Sequence, residues 1–246
     1  MRSALLAIGA SAIALLRPNE AVGQARVAQF DPGDPASLSR ALQALLEIGG
    51  SAVLDVILSD EVVKFFVVDP PAGLTRFSDV EMVCGVRFEE LFGFDSAEWR
   101  LSADWHARRR FMASAAPSTL LAALAESHKK VTHIEPAFVR SYNTLASSES
   151  PQWFVCRYPN WATAARFDGG VCQLVRSSML DAEDSVLQWL EREALLANQP
   201  LERITMMSSA GLERNAAVPR ADVSAIAPPR HMQLLSALST SEPAIA

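Results

Sequence analysis

The sequence predicts a mixed α/β fold. Three observations carry it. Runs of β-branched and aliphatic residues come in pairs broken by short polar turns. Between the pairs lie segments whose apolar residues recur at helical spacing. No repeat with a period of roughly 20–50 residues runs through the chain, which sets solenoids and propellers aside. With 246 residues, 50% of them hydrophobic, the chain can bury a sizeable core in one large domain or two small ones.

The first predicted strands are 5–8 and 12–16, turned by Gly9-Ala10-Ser11 and ended by Arg17-Pro18-Asn19. The same residues also read as a secretory signal. Met1-Arg2-Ser3 gives the basic start, ALLAIGASAIALL the apolar run, and AVGQA a cleavage sequence. The run is short for a membrane span, which takes roughly 20 residues. On the residues alone both readings stand.

Asp34-Pro35 opens a helix, with Leu38, Ala41, Leu42, Leu45 and Leu46 on one face and Gly49-Gly50 as its stop. Residues 52–58 and 62–68 flank Ser59-Asp60-Glu61 and predict an antiparallel hairpin that extends the sheet begun by 5–16. Pro70-Pro71 ends it. Ser78 and Glu81 read as a capping box for a helix closed by Gly93, its core face formed by Val80, Val83, the stem of Arg87, Phe88 and Leu91.

Residues 97–104 and 109–116 predict another strand pair around Arg108-Arg109-Arg110. Pro117 starts a short helix with Leu120, Leu121 and Leu124 inward. Residues 130–134 are strand-like, and Phe138, Tyr142 and Leu145 follow at helical spacing. Beyond the polar loop 147–151 comes a meander of 153–158, 161–167 and 171–177, with Asp168-Gly169-Gly170 as a hairpin turn. Asp181 is read as the cap of a helix reaching about 197, and 204–208 as a buried strand. After Gly211 the pattern fades into small residues and prolines. The expected division is therefore 1–146, a first lobe; 147–210, a second, reduced α/β lobe; and 211–246, a partly disordered tail.

Charge and motifs exclude several functions. A net charge of −6 argues against a nucleic-acid partner, which would need clustered Lys and Arg to displace counterions. The three arginines at 108–110 read as a solvated turn. Cys84, Cys156 and Cys172 are odd in number and show no CxxC spacing, which argues against a disulfide framework or a zinc site. There is no GxxxxGK(S/T), GxGxxG or GxSxG. His106, His128, His133 and His231 have no spaced partner that would orient a general base. The acids at Glu89-Glu90 and Asp181 to Asp184 fit solvated helix surfaces and helix starts. No catalytic, cofactor-binding or metal-ligating residue is assigned, and no cofactor is expected.

Six segments in order carry a resemblance. They are the opening strand pair, LDVILSDEVVKFFVV, FEELFG followed by AEWRL, MASAAPSTLLAAL, HIEPAFVRSYN, and the meander ending GGVCQLVRSS. Together, over roughly residues 4–208, they resemble the PilM-like and secretion protein L-like assembly proteins of type IV pili and type II secretion, with 54–68 similar to that family's VVLS-(D/N)-x-x-V-(K/R)-(F/Y) segment. The resemblance implies a divergent actin-like (ribonuclease H-like) fold, a mixed sheet with flanking helices, and favours the strand reading of 5–16.

The resemblance also implies a non-catalytic cytoplasmic scaffold, peripheral to the inner membrane. Its partners would be an inner-membrane assembly protein and an assembly ATPase. Compared with that family, this sequence lacks the membrane helix and periplasmic part of secretion protein L and is shorter than a full PilM. Active actin-like ATPases open with Asp-x-Gly-(Thr/Ser), whose Asp helps hold a hydrated metal. Here Ala7 and Ala10 stand at the Asp and hydroxyl positions, which implies a disabled phosphate turn. Two alternatives remain: a phosphotransferase or ATPase of the actin-like superfamily, which would need Asp55 or Asp168 near a metal, and an exported protein with residues 1–25 as its signal.

Overall fold

The computed structural model describes residues 3–49, 53–105, 108–127, 130–145, 151–181, 184–209 and 222–240. In chain order the elements are strands β1 (Ala4–Ile8), β2 (Ala12–Leu16) and β3 (Arg26–Gln29), helix α1 (Pro35–Gly49), strands β4 (Leu54–Leu58) and β5 (Lys64–Val68), helix α2 (Phe77–Phe92), strands β6 (Trp99–Ala103) and β7 (Phe111–Pro117), and helix α3 (Ser118–Ser127). Strand β8 (Val131–Pro136), helix α4 (Ala137–Asn143), strands β9 (Gln152–Tyr158), β10 (Trp161–Asp168) and β11 (Val171–Met179), helix α5 (Val186–Leu196), strands β12 (Arg203–Ser208) and β13 (Asp222–Ile226), and helix α6 (Arg230–Thr240) complete them.

The strands form two five-stranded sheets of one design. The first has the order β3-β2-β1-β4-β8 and the second β11-β10-β9-β12-β13. In each, three strands form an antiparallel meander, and two more then run parallel beside the first of them. The central strands are covered on both faces, so they read as continuous apolar runs. Strand β9 is an example. Trp153 and Val155 meet Val186 and Leu190 of α5 on one side, while Phe154, Cys156 and Tyr158 join the main core on the other. Helices α4 and α6 supply that main core with Phe138, Met232, Leu234, Leu235 and Leu238. The first sheet carries an insertion after β4, namely the three-stranded sheet β5-β7-β6 under α2, with its own core around Phe66, Cys84 and Phe88.

Local signals are obeyed where the turn alone decides. Residues 4–16 form the antiparallel pair β1–β2 and supply the centre of the first sheet, so the strand reading of the N-terminus holds. Gly169 and Gly170 both have positive φ, at 55° and 75°, as a two-residue hairpin between Asp168 and Val171 requires. Gly93 ends α2 at φ 70°, its N–H donating to Glu89 O at 2.8 Å.

Four expectations are corrected, and one strand that the sequence did not announce is added. Residues 52–58 and 62–68 do not pair. Strand β4 has β1 on one edge and β8 on the other, both parallel, and so has no edge left for β5, which pairs with β7 instead. Helix α2 starts at Phe77 with Arg76 as its cap. The Ser78 hydroxyl bonds Asp79 rather than the helix start, Cys84 takes a core position, and Leu91 is 44% exposed. Ser185, not Asp181, caps α5, accepting from Gln188 N. Strand β3 was hidden by its polar alternation, RVAQ, on a sheet edge. Finally, residues 222–240, within the segment read as a partly disordered tail, form β13 and α6, and α6 lies on β1 and β2.

Candidate functional site

The phosphate turn expected of an active relative is the β1–β2 turn. Ala7 is fully buried between Ala14 and Ile57, its register partners on the flanking strands. The Gly9 amide is used within the turn, donating to Ala12 O at 2.8 Å, and Ser11 O accepts from Phe30 N at 2.8 Å. A Cβ placed on Gly9 would meet Leu238 Cδ1 at 3.6 Å, so α6 closes over the turn with an aliphatic side chain. The matching turn of the second sheet, between Tyr158 and Trp161, is Pro159-Asn160. Its proline has no N–H, and Asn160 O accepts from Leu180 N at 3.1 Å. Neither turn carries an Asp or Glu of its own to help hold a nucleotide's metal. Among the described residues no three His, Cys, Asp or Glu side chains converge as metal ligands.

Beside these turns, a buried polar seam joins the two sheets. Asp60, at the end of β4, is fully buried, and its Oδ1 accepts from Phe138 N at the start of α4 (2.9 Å). Thr163 and Tyr158 of the second sheet stand near the same carboxyl. Its Oδ2 and the Tyr158 hydroxyl nevertheless make no well-aligned hydrogen bond among the described residues. Burial raises the Asp60 carboxyl from 3.8 to about 7, against the lowering effect of the Phe138 amide and of Thr163 and Tyr158. Burial, with Asp60 as a second cause, pushes the Cys156 thiol and the Tyr158 phenol well up. All three cysteines are free and buried, and Cys84 and Cys172 are held at about 12, mainly by desolvation. These thiols are inert.

A second part of the seam ties the last two crossing helices together. The Ser141 hydroxyl of α4 lies 2.9 Å from His231 Nε2 of α6, with both residues buried. Burial lowers His231 to about 4, with the nearby Arg140 charge acting in the same direction. The imidazole is therefore neutral near pH 7 and shares a hydrogen bond with the Ser141 hydroxyl. A serine with no exposed surface cannot meet a substrate, so the pair is a clamp between helices rather than a nucleophile and its base. Next to it, Arg140 reaches both oxygens of Asp55 at 2.8 and 2.7 Å and Glu135 at 3.1 Å.

Asp55 is thus committed to Arg140, and Asp168 is exposed at the β10–β11 turn. His133 faces outward beside Glu135. His106, His128 and Glu183 lie outside the described residues, while Arg109 and Arg110 pair with Asp104 and Asp69 at the solvated turn. Sequence reasoning placed His231 in a tail and missed its pairing with Ser141. Its one signal was the apolar spacing of Met232, Leu235 and Leu238.

Two grooves of different size are among those that open on the insertion. The smaller, about 310 Å³, lies between it and the first sheet, against Ala10, Phe30, Leu38, Val62, Trp99 and Leu120. The larger, about 870 Å³, lies between α2, β5 and the outer edge of β11.

No protein-family model and no curated protein matches the sequence. Solved structures do. The PilM–PilN type IV pilus biogenesis complex matches with a TM-score of 0.60 at 14% identity, over 98% of this chain and 99% of that one. The cytoplasmic domain of EpsL, an inner membrane component of the type II secretion system of Vibrio cholerae, matches with 0.59 at 10%, over 97% and 95%. A protein of unknown function with an actin-like ATPase fold from Bacteroides thetaiotaomicron matches with 0.58 at 11%, over 96% of each chain. The chain has a divergent actin-like fold. No helix among the described residues is long and apolar enough to cross a membrane.

Proposed function

We propose that this protein is a non-catalytic scaffold of a type IV pilus or type II secretion-like assembly platform, working at the cytoplasmic face and binding an inner-membrane partner. One observation carries the non-catalytic half. In an actin-like fold, the turn that would hold phosphate has Ala7 and Ala10 in place of acid and hydroxyl, with Leu238 packed over it. The scaffold half is supported by likeness, over nearly the whole chain, to a pilus protein solved with its partner and to a secretion component of the inner membrane. In this reading each five-stranded sheet with its helices is a lobe, and the apolar groove beside Phe30 and Leu38 is where the membrane partner's segment docks.

Calorimetric titration of the purified chain with ATP and Mg²⁺ tests the first half, and no heat of binding is expected. Tight Mg²⁺-dependent binding would overturn it and reopen the phosphotransferase reading. A pull-down that returns an inner-membrane assembly protein tests the second half.

A further inference from the structure

Asp60 stands where the two five-stranded sheets meet, with too few donors around it to hold a charge. It follows β4 of the first sheet and has no exposed surface. Its Oδ1 has one well-aligned donor, the Phe138 N–H at the start of α4. Its Oδ2 has none among the described residues. Neither has the hydroxyl of Tyr158, the buried last residue of β9 in the second sheet. Thr163 of β10 faces the same carboxyl, but its hydroxyl is also engaged with Ser177 Oγ of β11 at 3.1 Å. The ionisable groups that bear on Asp60 are Glu61 on its own turn and Tyr158 and Cys156 on β9, all of them neutral or negative. No Lys, Arg or His among the described residues ion-pairs with it. A buried carboxylate stays ionised when it accepts two or three hydrogen bonds or meets a cation. The neutral acid needs less. Its own proton is a donor, and the hydroxyl oxygens of Tyr158 and Thr163 are acceptors.

We propose that the proton on Asp60 is a latch between the two sheets: while it is bound the seam stays shut, and its loss parts the end of β4 from Tyr158 and Thr163 without unfolding either sheet. In that step the carboxyl O–H bond breaks and the proton passes to solvent water. The carboxylate left behind gains from water the hydrogen bonds that the closed seam does not supply. Burial raises this carboxyl to about 7, so the latch works near neutral pH. The neighbouring clamp of Ser141 and His231 titrates at about 4 and is unchanged over that range, so α4 and α6 stay joined while the seam opens. Cys156 reports the opening. It is fully buried, stands opposite Thr163 in the β9–β10 register, and has its thiol pushed up in part by Asp60. Cys84 is buried as completely, but in the separate core of the insertion. The latch needs no partner protein, so it and the scaffold reading can fail independently.

The test is thiol labelling of the folded full chain and of Asp60→Asn, at pH 6, 7 and 8, with each cysteine read by peptide mass spectrometry. Asparagine keeps the acceptor for Phe138 N and cannot ionise. Taking the parent's Cys156 rate over the variant's at each pH cancels the common pH dependence of thiol reactivity. With the acid at 3.8 in the open seam and about 7 in the closed one, that ratio should rise about tenfold from pH 6 to pH 8. Cys156 should also label faster than Cys84 in the parent at pH 8, because the opening is local. Hydrogen exchange gives a second reading that needs no variant. Corrected for intrinsic exchange, opening at the Phe138 amide should rise by the same factor, while the amides of the β1–β2 and β9–β10 pairs stay protected. A ratio that does not change with pH, or a Phe138 amide that opens no more at pH 8 than at pH 6, would overturn the proposal. So would equal labelling of Cys156 and Cys84 with protection lost throughout both sheets, the mark of global unfolding.

Discussion

Asp60→Asn should stabilise the protein, and more so as pH rises. Asp60 has no solvent exposure and its carboxyl is raised from 3.8 to about 7, mainly by burial. A raised acid contributes stability that is fully present below its unfolded value and is lost as pH climbs through its folded value. The window here therefore runs from about pH 4 to pH 7. The gap between 3.8 and about 7, at about 1.4 kcal/mol per pH unit, sets a ceiling of roughly 4 kcal/mol. Asparagine keeps the acceptor for Phe138 N and cannot ionise, and its amide offers a donor on the side of the unpaired Tyr158 hydroxyl. Urea unfolding followed by tryptophan fluorescence, on parent and variant in parallel from pH 5 to 8, isolates the effect, since every other titrating group is common to both. The difference should widen by roughly 2–3 kcal/mol across that range. Parallel stability profiles would refute the claim that a protonated Asp60 is what the buried seam holds.

His231→Gln should show the opposite slope. A lowered histidine costs stability as pH falls from its unfolded 6.5 toward its folded value of about 4, to a limit of about 3 kcal/mol, so the variant should lose less than the parent between pH 7 and pH 4.5 in thermal melts. Leu238→Ala should cost about 2–5 kcal/mol by loosening α6 over the β1–β2 turn, yet should still give no heat with ATP and Mg²⁺. Gly170→Ala places a side chain at φ 75° and should lower stability by about 1–2 kcal/mol, read as a shift in urea midpoint. Deleting residues 1–25 removes β1 and β2, and cooperative unfolding should disappear with them. A native N-terminus near Arg26, found by mass spectrometry on folded protein, would contradict that.

What the sequence disclosed follows the range of the forces involved. The 153–177 meander and the Gly169-Gly170 turn are set by neighbours a few residues away, and both were legible, whereas the β1–β2 pair was separated from a signal segment only by the resemblance. The fate of 54–68 was not. Whether β4 pairs with β5 depends on whether β1 and β8 have already filled its edges, and β8 begins only at Val131. The polar seam was hidden for the same reason. Ser141 finds His231 and Asp55 finds Arg140 only once the two sheets have closed on α4 and α6. Asp60 looked like a turn residue because Ser59-Asp60-Glu61 is one. Nothing local says that the turn is buried. The turn at Ala7 to Ser11 was the exception among site features, since a missing carboxylate can be read from a single position.

The packing of Leu238 against the Gly9 turn has a consequence for how the molecule is made. Helix α6, about 220 residues along the chain from β1 and β2, is synthesised long after the strands it covers. Until α6 emerges, Ile8, Ile13 and Leu15 lack part of their cover, and the first sheet waits with an apolar face open to water. Contacts between segments so far apart in sequence form slowly, because the entropy of loop closure is lost before the contact rewards it. Truncation anywhere before Met232 therefore removes α6 and leaves the β1–β2 layer, at the other end of the described fold, unsealed.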